Sequence, residues 1–181
     1  PRCSQLRHDA AMTNKLRVLD LFSGIGGFSL GLERTGGFET VAFCEIEEFP
    51  RKVVAKHWPK VPIYHDVRTI EFAEPVDVVT AGFPCQDISF AGDGAGLSGP
   101  RSRLFWFVLH TVRMVGRPRL LLENVAALLH RGMGTVLGAL ASFGYDTQWN
   151  CVQACDLGLP HIRDRLWIIA DANGLRKLQQ N

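Results

Sequence analysis

The sequence predicts an α/β fold in which helices cover both faces of a doubly wound, mainly parallel sheet. Short apolar runs rich in β-branched residues recur along the chain, and helical stretches separate most of them. The runs are almost continuously apolar, which is typical of strands buried on both faces. Strands that alternate with helices form parallel sheets with right-handed crossovers. At 181 residues the chain has the size of one substantial domain.

Seven strands and four helices follow from this pattern. The helices are predicted at residues 28–34, 48–58, 101–115 and 126–143, and Pro50 lies near the start of the second, where a missing N–H is harmless. Only about ten residues, CDLGLPHIRD, join the last two strands. This is too few for a helical crossover, so these strands should form an antiparallel hairpin at one edge. The predicted strands are RVLDLF, TVAFCEI, VPIYHDV, VDVVTAGF, RLLLENV, TQWNCVQA and RLWIIADA.

Composition and charge exclude several classes of protein. With 46% hydrophobic and 21% charged residues, the chain is neither disordered nor fibrous. The five cysteines are odd in number and form no CxxC pair, which favours a reduced, cytoplasmic protein without a metal site. No apolar run approaches the ~20 residues that cross a bilayer, so no membrane is expected. A net charge of +2 does not by itself indicate a nucleic-acid binder.

The same pattern sets the domain boundaries. Residues 1–15 lack sustained periodicity and should form a poorly ordered tail. Residues 16–172 contain the predicted strands and helices and should form the single domain. Residues 173–181 form a polar tail that is too short for a second domain.

A glycine-rich turn follows the first strand. The strand ends at Asp20 to Phe22, and Gly24, Gly26 and Gly27 precede the first helix. This arrangement brings bare backbone close to a nucleotide-like ligand, although a tight packing turn needs such glycines equally. The turn alone therefore leaves both interpretations open.

Acidic residues end the next two strands, Glu45 the second and Asp66 the third. In an open α/β sheet the ligand crevice lies outside the carboxyl ends of the strands, so Asp20, Glu45 and Asp66 should line one cofactor site. Each acid alone could instead be a solvated strand-end residue or a helix cap. Three in succession favour the cofactor site.

A cysteine and a second group of polar residues complete the candidate site. Cys85 directly follows Pro84, just past the fourth strand, and is a candidate nucleophile, although a lone cysteine is more often a core residue. Glu123 ends the fifth strand, where an apolar setting would favour a protonated carboxyl that can serve as an acid. Arg163 and Arg165 begin the last strand and could hold a phosphate or a base carbonyl, or simply form a surface ladder.

The motifs DLFSGIGGF, GFPCQDIS, ENV and RDR, in this order and spacing, resemble the signature motifs of cytosine carbon-5 DNA methyltransferases. The resemblance covers about residues 16–172. It implies a seven-stranded fold of the S-adenosylmethionine-dependent methyltransferase type with an antiparallel strand near one edge. It also implies S-adenosylmethionine as cofactor and double-stranded DNA as partner.

By position, the resemblance also implies roles for individual residues. Cys85 would attack carbon 6 of a flipped cytosine while Glu123 hydrogen-bonds ring nitrogen 3, and Arg163 and Arg165 would steady the base and its phosphates. The glycine loop would hold the methionine part of the cofactor. The implied cofactor-binding residues are Asp20, Phe22, Ser23, Gly24, Gly26, Gly27, Glu45, Ile46, Asp66, Val67 and Pro84. The implied DNA-binding residues are Gln86, Ser89, Arg101 and Asn124.

The chain departs from the family pattern at two points. His161 stands where the family usually has glutamine. The target-recognition domain and later motifs of complete single-chain members are also not found after Ala172. The chain is therefore expected to be a fragment, one subunit of a split enzyme with a recognition partner, or an inactive binding module. A nicotinamide oxidoreductase and a transfer-RNA cytosine methyltransferase are the weaker alternatives.

Overall fold

A computed structural model describes residues 15–72, 74–84, 103–172 and 174. The strands are β1 (Leu16–Leu21), β2 (Phe38–Cys44), β3 (Ile63–Tyr64), β4 (Val78–Ala81), β5 (Arg119–Val125), β6 (Asp146–Gln153) and β7 (Asp164–Asp171). The helices are α1 (Gly27–Glu33), α2 (Glu48–His57), α3 (Arg103–Met114), α4 (Leu128–Arg131) and α5 (Met133–Ser142). A 3₁₀ turn, Ala154–Leu157, follows β6.

The strands form one sheet in the order β3-β2-β1-β4-β5-β7-β6. The first five strands pair in parallel, whereas β7 is antiparallel to both β5 and β6. This confirms the predicted doubly wound sheet and the antiparallel hairpin at its edge. Successive strands are added outward from β1 to β3, and the chain then returns to place β4 on the other side of β1. The direction in which strands are added therefore reverses between β1 and β4. Ligands bind at such a switch point, beyond the carboxyl ends of the strands.

The hydrophobic core covers both faces of the sheet at the central strands. At the edge formed by β5, β7 and β6 it covers only one face. All four residues of β4 are buried. In β5 burial alternates, and its inward side chains, Leu120 and Leu122, pack in one core with α3 and α5. On the opposite face Leu121 and Trp167 are half-buried and Ile169 is 39% exposed. We call the surface formed by Leu121, Trp167 and Ile169 the open face.

Two predicted elements differ in the structure. The single helix predicted at residues 126–143 is two helices, α4 and α5, that meet at Gly132. Gly132 and Gly134 flank the break, and glycine is a poor helix former. The third strand is shorter than predicted because Pro62 cannot donate to a ladder and because Asp66 caps a turn through the Arg68 backbone N–H. Among the described helices, none is long and apolar enough to cross a membrane.

Candidate functional site

The glycine loop, residues 23–26, crosses the carboxyl end of β1. Gly24 and Gly26 adopt the left-handed region, with φ of 52° and 86°, where glycine is favoured. Phe22 lies in the same region with φ of 54°, an unfavourable conformation for a residue with a side chain. The Ser23 N–H donates to the Cys44 carbonyl at 3.2 Å, which joins the loop to the end of β2. Backbone strain of this kind is concentrated at functional sites.

Glu45 fixes the loop from the neighbouring strand. Its side chain accepts a hydrogen bond from the Gly24 N–H at 2.7 Å and one from the Glu47 N–H at 2.8 Å. Glu45 is only 8% exposed. Each carboxylate oxygen accepts one protein hydrogen bond and keeps further lone-pair capacity. The group can therefore accept two more hydrogen bonds from a ligand such as a diol.

A cavity of about 230 Å³ is lined in part by Cys44 and Ile46, the chain neighbours of Glu45. Asp66 stands at its edge, where Arg68 Nε donates to both carboxylate oxygens at 2.9 Å. The hydrogen bond from Arg68 lowers the pKa of Asp66, so this carboxyl stays ionised. Apolar walls with one acidic edge suit a flat heteroaromatic ring that carries an amino group. The lining residues are Phe22, Cys44, Ile46, His65, Asp66, Val67, Arg68, Pro84 and Leu104.

Asp20 does not line this crevice, so the prediction that it joins Glu45 and Asp66 there is wrong. Its side chain is fully buried below the glycine loop. The Thr80 hydroxyl donates to one carboxylate oxygen at 2.6 Å and the Ser29 hydroxyl to the other at 2.8 Å. Burial raises the pKa of Asp20 to about 6. Asp20 therefore ties β1 to β4 and α1.

A second cavity, of about 630 Å³, lies on the other side of Phe22, which lines both. In it Arg165 Nε lies 2.8 Å from Glu123 Oε1. The pairing of Val125 with Arg165 across β5 and β7 brings these side chains to one face. Glu123 thus faces a guanidinium, and its setting is less apolar than predicted. Arg163 also lines this cavity and is exposed.

Asn124 is buried, with 3% exposure. Its amide N–H donates to the Phe83 carbonyl at 2.9 Å, and its side-chain oxygen accepts from the Val125 N–H at 2.9 Å. The prediction that Asn124 contacts DNA is therefore corrected, because the side chain is occupied inside the protein. It fastens the end of β5 to the segment that leads to Pro84.

Four predicted residues, Cys85, Gln86, Ser89 and Arg101, lie outside the described residues. The described chain ends this segment at Pro84, which is exposed and lines the smaller cavity, while Gly82 lines the larger one. The position that directly precedes Cys85 is thus at the edge of the smaller cavity.

Sequence reasoning missed several residues of the site. Leu104 lies on α3, far along the chain from the other cavity residues, and no motif marks it. Gly82 was also missed: it lines the larger cavity, and a Cβ there would lie in van der Waals contact with Glu123 Oε2, at 3.4 Å. Within the described ranges, no three His, Cys, Asp or Glu side chains are grouped to hold a metal ion.

Comparison with known proteins identifies a family. The sequence model of the family described as "C-5 cytosine-specific DNA methylase" matches residues 16–181. Among curated relatives, Type II methyltransferase M2.BsuMI of Bacillus subtilis (strain 168) is 37% identical over 163 residues, covering 86% of this chain and 42% of that protein. Type II methyltransferase M.NgoBI of Neisseria gonorrhoeae is 32% identical, covering 88% and 51%.

Solved structures show the same fold. A DNA modification methyltransferase encoded within an Escherichia coli prophage superposes with a TM-score of 0.72 at 28% identity, covering 90% of this chain and 48% of that one. The Dnmt2 methyltransferase of S. pombe gives a TM-score of 0.73 at 23% identity, covering 88% and 52%. The chain therefore spans about half the length of the proteins that it matches, or somewhat less.

Proposed function

Since the chain belongs to the C-5 cytosine-specific DNA methylase family, we propose that it transfers a methyl group from S-adenosylmethionine to carbon 5 of cytosine in DNA. One observation carries the proposal: Phe22 separates a cavity of nucleoside size from a cavity that holds the Glu123–Arg165 pair. The nucleoside part of a methyl donor in the first and a cytosine in the second would lie on either side of Phe22. Cys85 follows directly after Pro84, at the edge of the first.

The residues of the smaller cavity fit S-adenosylmethionine, the methyl donor of this family. Asp66 would accept from the adenine amino group, with Phe22 and Ile46 against the ring. Glu45 would accept from both ribose hydroxyls. The Ser23 hydroxyl is buried and has no hydrogen-bond partner among the described residues, so it is a polar group that a ligand can satisfy. Ser23 lines the larger cavity, so we assign its hydroxyl to the methionine part of the cofactor, which would extend past Phe22 from the smaller cavity.

The larger cavity would take the cytosine after it leaves the DNA stack. Cytosine carbon 5 is a poor nucleophile until a group adds at carbon 6. We infer that the Cys85 thiolate forms a bond to carbon 6 while Glu123 hydrogen-bonds ring nitrogen 3 in its protonated form. The electron pair then lies at carbon 5, and bound S-adenosylmethionine supplies the methyl group that carbon 5 accepts. Removal of the carbon 5 proton by a base restores the ring double bond and expels the thiolate.

Arg165 and Arg163 would each have a separate role in this step. Arg165 holds the Glu123 carboxyl group by their contact at 2.8 Å and so sets its orientation toward the base. Arg163 is exposed at the same cavity and would bind a backbone phosphate.

We further propose that a recognition part of the protein, in the same or a second chain, is needed to choose the cytosine. The chain spans 42% of one curated relative and 51% of another. The open face supports the proposal, because in α/β proteins both faces of such a sheet are usually covered. Leu157 and Leu159, 73% and 50% exposed, extend the apolar surface at the mouth of the larger cavity. A catalytically inactive binding module is the alternative.

Covalent trapping tests the proposal. In duplex DNA containing 5-fluorocytosine, fluorine replaces the hydrogen at carbon 5 and cannot be removed by a base. A covalent cysteine adduct therefore accumulates when S-adenosylmethionine is present. We expect an adduct with the wild-type chain, supplemented with its recognition part, and none with Cys85→Ser. Cys155→Ser is the matched control, because Cys155 is an exposed free cysteine, and it should form the adduct normally.

The outcomes separate the alternatives. A wild-type chain that binds S-adenosylhomocysteine but forms no adduct under these conditions would establish the inactive module. An adduct that persists in Cys85→Ser would remove Cys85 from the mechanism. Replacing the DNA by transfer RNA containing 5-fluorocytosine tests the RNA alternative, for which we expect no adduct.

A further inference from the structure

The side of the glycine loop that faces away from the larger cavity packs against Trp58. Gly24, Ile25 and Gly27 line the larger cavity, whereas Gly26 is buried and faces away from it. A Cβ built on Gly26 would lie 2.7 Å from Cζ3 and 2.9 Å from Cη2 of Trp58. The benzene edge of the indole is therefore packed directly against the Gly26 backbone, at the end of the loop that joins α1.

Trp58 is itself held in place by three elements. It directly follows α2, and its N–H donates to the Val54 carbonyl at 2.8 Å. The indole Nε1 donates to Glu33 Oε2, at the end of α1, at 2.9 Å, and Glu33 Oε1 accepts from the Thr40 N–H of β2 at 3.0 Å. The indole also packs on Phe43, with ring centroids 5.1 Å apart. These contacts hold the indole ring of Trp58 in one position against the glycine loop.

Displacing Gly26 would displace the cofactor loop. The Gly26 N–H donates to the Ser23 carbonyl at 2.8 Å, and the Gly26 carbonyl accepts from the Leu30 N–H of α1 at 2.9 Å. Gly26 thus joins the turn that presents the Ser23 hydroxyl and the Gly24 N–H to the first turn of α1. A side chain that packs against Gly26 therefore sets the position of that turn relative to Glu45, whose carboxylate accepts a hydrogen bond from the Gly24 N–H.

We propose that Trp58 is a positioning residue of the cofactor site: its indole packs against Gly26 and so holds the glycine loop in the position that binds the amino-acid part of S-adenosylmethionine. The inference rests on the proposed function. Trp58 does not line either cavity, so it acts only through Gly26. The adenine cavity is lined by Phe22, the end of β2, the segment after β3, Pro84 and Leu104 of α3, and we expect it to keep its shape without this contact.

Two ligands separate this role from a general loss of structure. Trp58→Ala should weaken the binding of S-adenosylhomocysteine about tenfold. It should change the affinity for 5′-methylthioadenosine, which lacks the amino-acid part, by no more than about twofold. Isothermal calorimetry measures both constants. Trp58→Phe keeps a ring against Phe43 but does not reach Gly26, so it should show the same selective loss in a chain that folds well. A general loss of structure would weaken both ligands equally and overturn the proposal.

A double-mutant cycle tests the contact itself. Gly26→Ala should weaken S-adenosylhomocysteine binding strongly in the wild type and by at least about threefold less in the Trp58→Ala background, because the clashing ring is gone. Gly24→Ala is the matched control: its φ is also positive, but nothing lies within 4 Å of its Cβ. Its effect should be the same in both backgrounds. Equal losses for Gly26→Ala in the two backgrounds, or wild-type affinity in Trp58→Ala, would overturn the inference. A wild-type chain that binds neither ligand would instead refute the cofactor site, and with it the proposed function.

Discussion

Buried carboxyl groups have two different uses at this site. Glu45 is buried and accepts the backbone N–H groups of Gly24 and Glu47, next to Cys44 and Ile46, which line the smaller cavity. Asp20 is enclosed and accepts from the Thr80 and Ser29 hydroxyls and from the Ser29 backbone N–H. Sequence position did not distinguish them, because both lie at strand ends beside the glycine loop. What separates them is their position relative to the strand: Asp20 lies within β1, between buried neighbours, whereas Glu45 follows the last residue of β2.

The pKa of Asp20 makes stability depend on pH. The pKa rises from 3.8 to about 6 because burial disfavours the carboxylate, so the folded state binds the proton more tightly than the unfolded state. The resulting stability is fully present below about pH 4 and is lost as pH rises through 6. The shift corresponds to about 3 kcal/mol. Asp20→Asn keeps both hydroxyl contacts, since a hydroxyl can donate or accept. We expect this variant to equal the wild type at pH 4 and to be more stable at pH 8 by about 1–3 kcal/mol.

Urea unfolding of both proteins from pH 4 to 8 measures this difference. Subtracting one curve from the other removes the other titrating groups, which the two proteins share. A difference that does not change with pH would show that Asp20 does not titrate in this window.

Glu123 should act in chemistry and not in cofactor binding, because it is paired with Arg165 and does not line the smaller cavity. We expect Glu123→Gln to reduce the rate of adduct formation with 5-fluorocytosine DNA by about 100-fold or more, which is the usual contribution of a positioned acid. Its affinity for S-adenosylhomocysteine should stay within about twofold of the wild type. Glu48→Gln, an exposed glutamate paired with Lys52, is the control and should change neither quantity. Loss of cofactor affinity in Glu123→Gln would contradict this division of the site.

At the scale of elements, the end of β5 and the segment after β4 form one unit through Asn124. Asn124→Asp retains the acceptor for the Val125 N–H but loses the donor to the Phe83 carbonyl, whereas Asn124→Ala loses both. A buried group left without a partner costs about 1–3 kcal/mol. We expect both variants to lower the free energy of unfolding by at least about 1 kcal/mol, with Asn124→Ala the closer to 3 kcal/mol, as measured by urea unfolding at pH 8. Wild-type stability in both variants would mean that the two elements are held by other contacts.

The elements that could be predicted from the sequence are those whose identity depends on local pattern. The runs of β1, β4 and β5 are apolar because their strands are buried, and the hairpin follows from a short connection. The elements that could not be predicted depend on contacts distant in sequence. Leu104 reaches the smaller cavity through the packing of α3, and Trp58 reaches Gly26 through the end of α2. No local pattern records such contacts.

At the scale of the whole molecule, the cavities and the open face belong to one surface. The larger cavity is walled by α1 on one side and by β7 on the other, where Phe28 and Trp167 pack edge to face with centroids 5.4 Å apart. The open face continues from this ring pair to Ile169. A recognition part that covered the open face would also narrow the mouth of the larger cavity. Cofactor binding, which uses the smaller cavity and the glycine loop, should not need that part.

This separation makes cofactor binding the property that the isolated chain should show. A ligand that binds only the folded state at 100 times its dissociation constant stabilises that state by about 2.7 kcal/mol. For a domain of this size each kcal/mol raises Tm by about 2–4 °C. We therefore expect saturating S-adenosylhomocysteine to raise Tm by about 5–10 °C in the chain alone. The same concentration of NAD should leave Tm unchanged, because S-adenosylmethionine is the methyl donor of this family. A rise in Tm with NAD and none with S-adenosylhomocysteine would replace the methyltransferase by an oxidoreductase. No rise with either ligand would contradict the cofactor site in this chain.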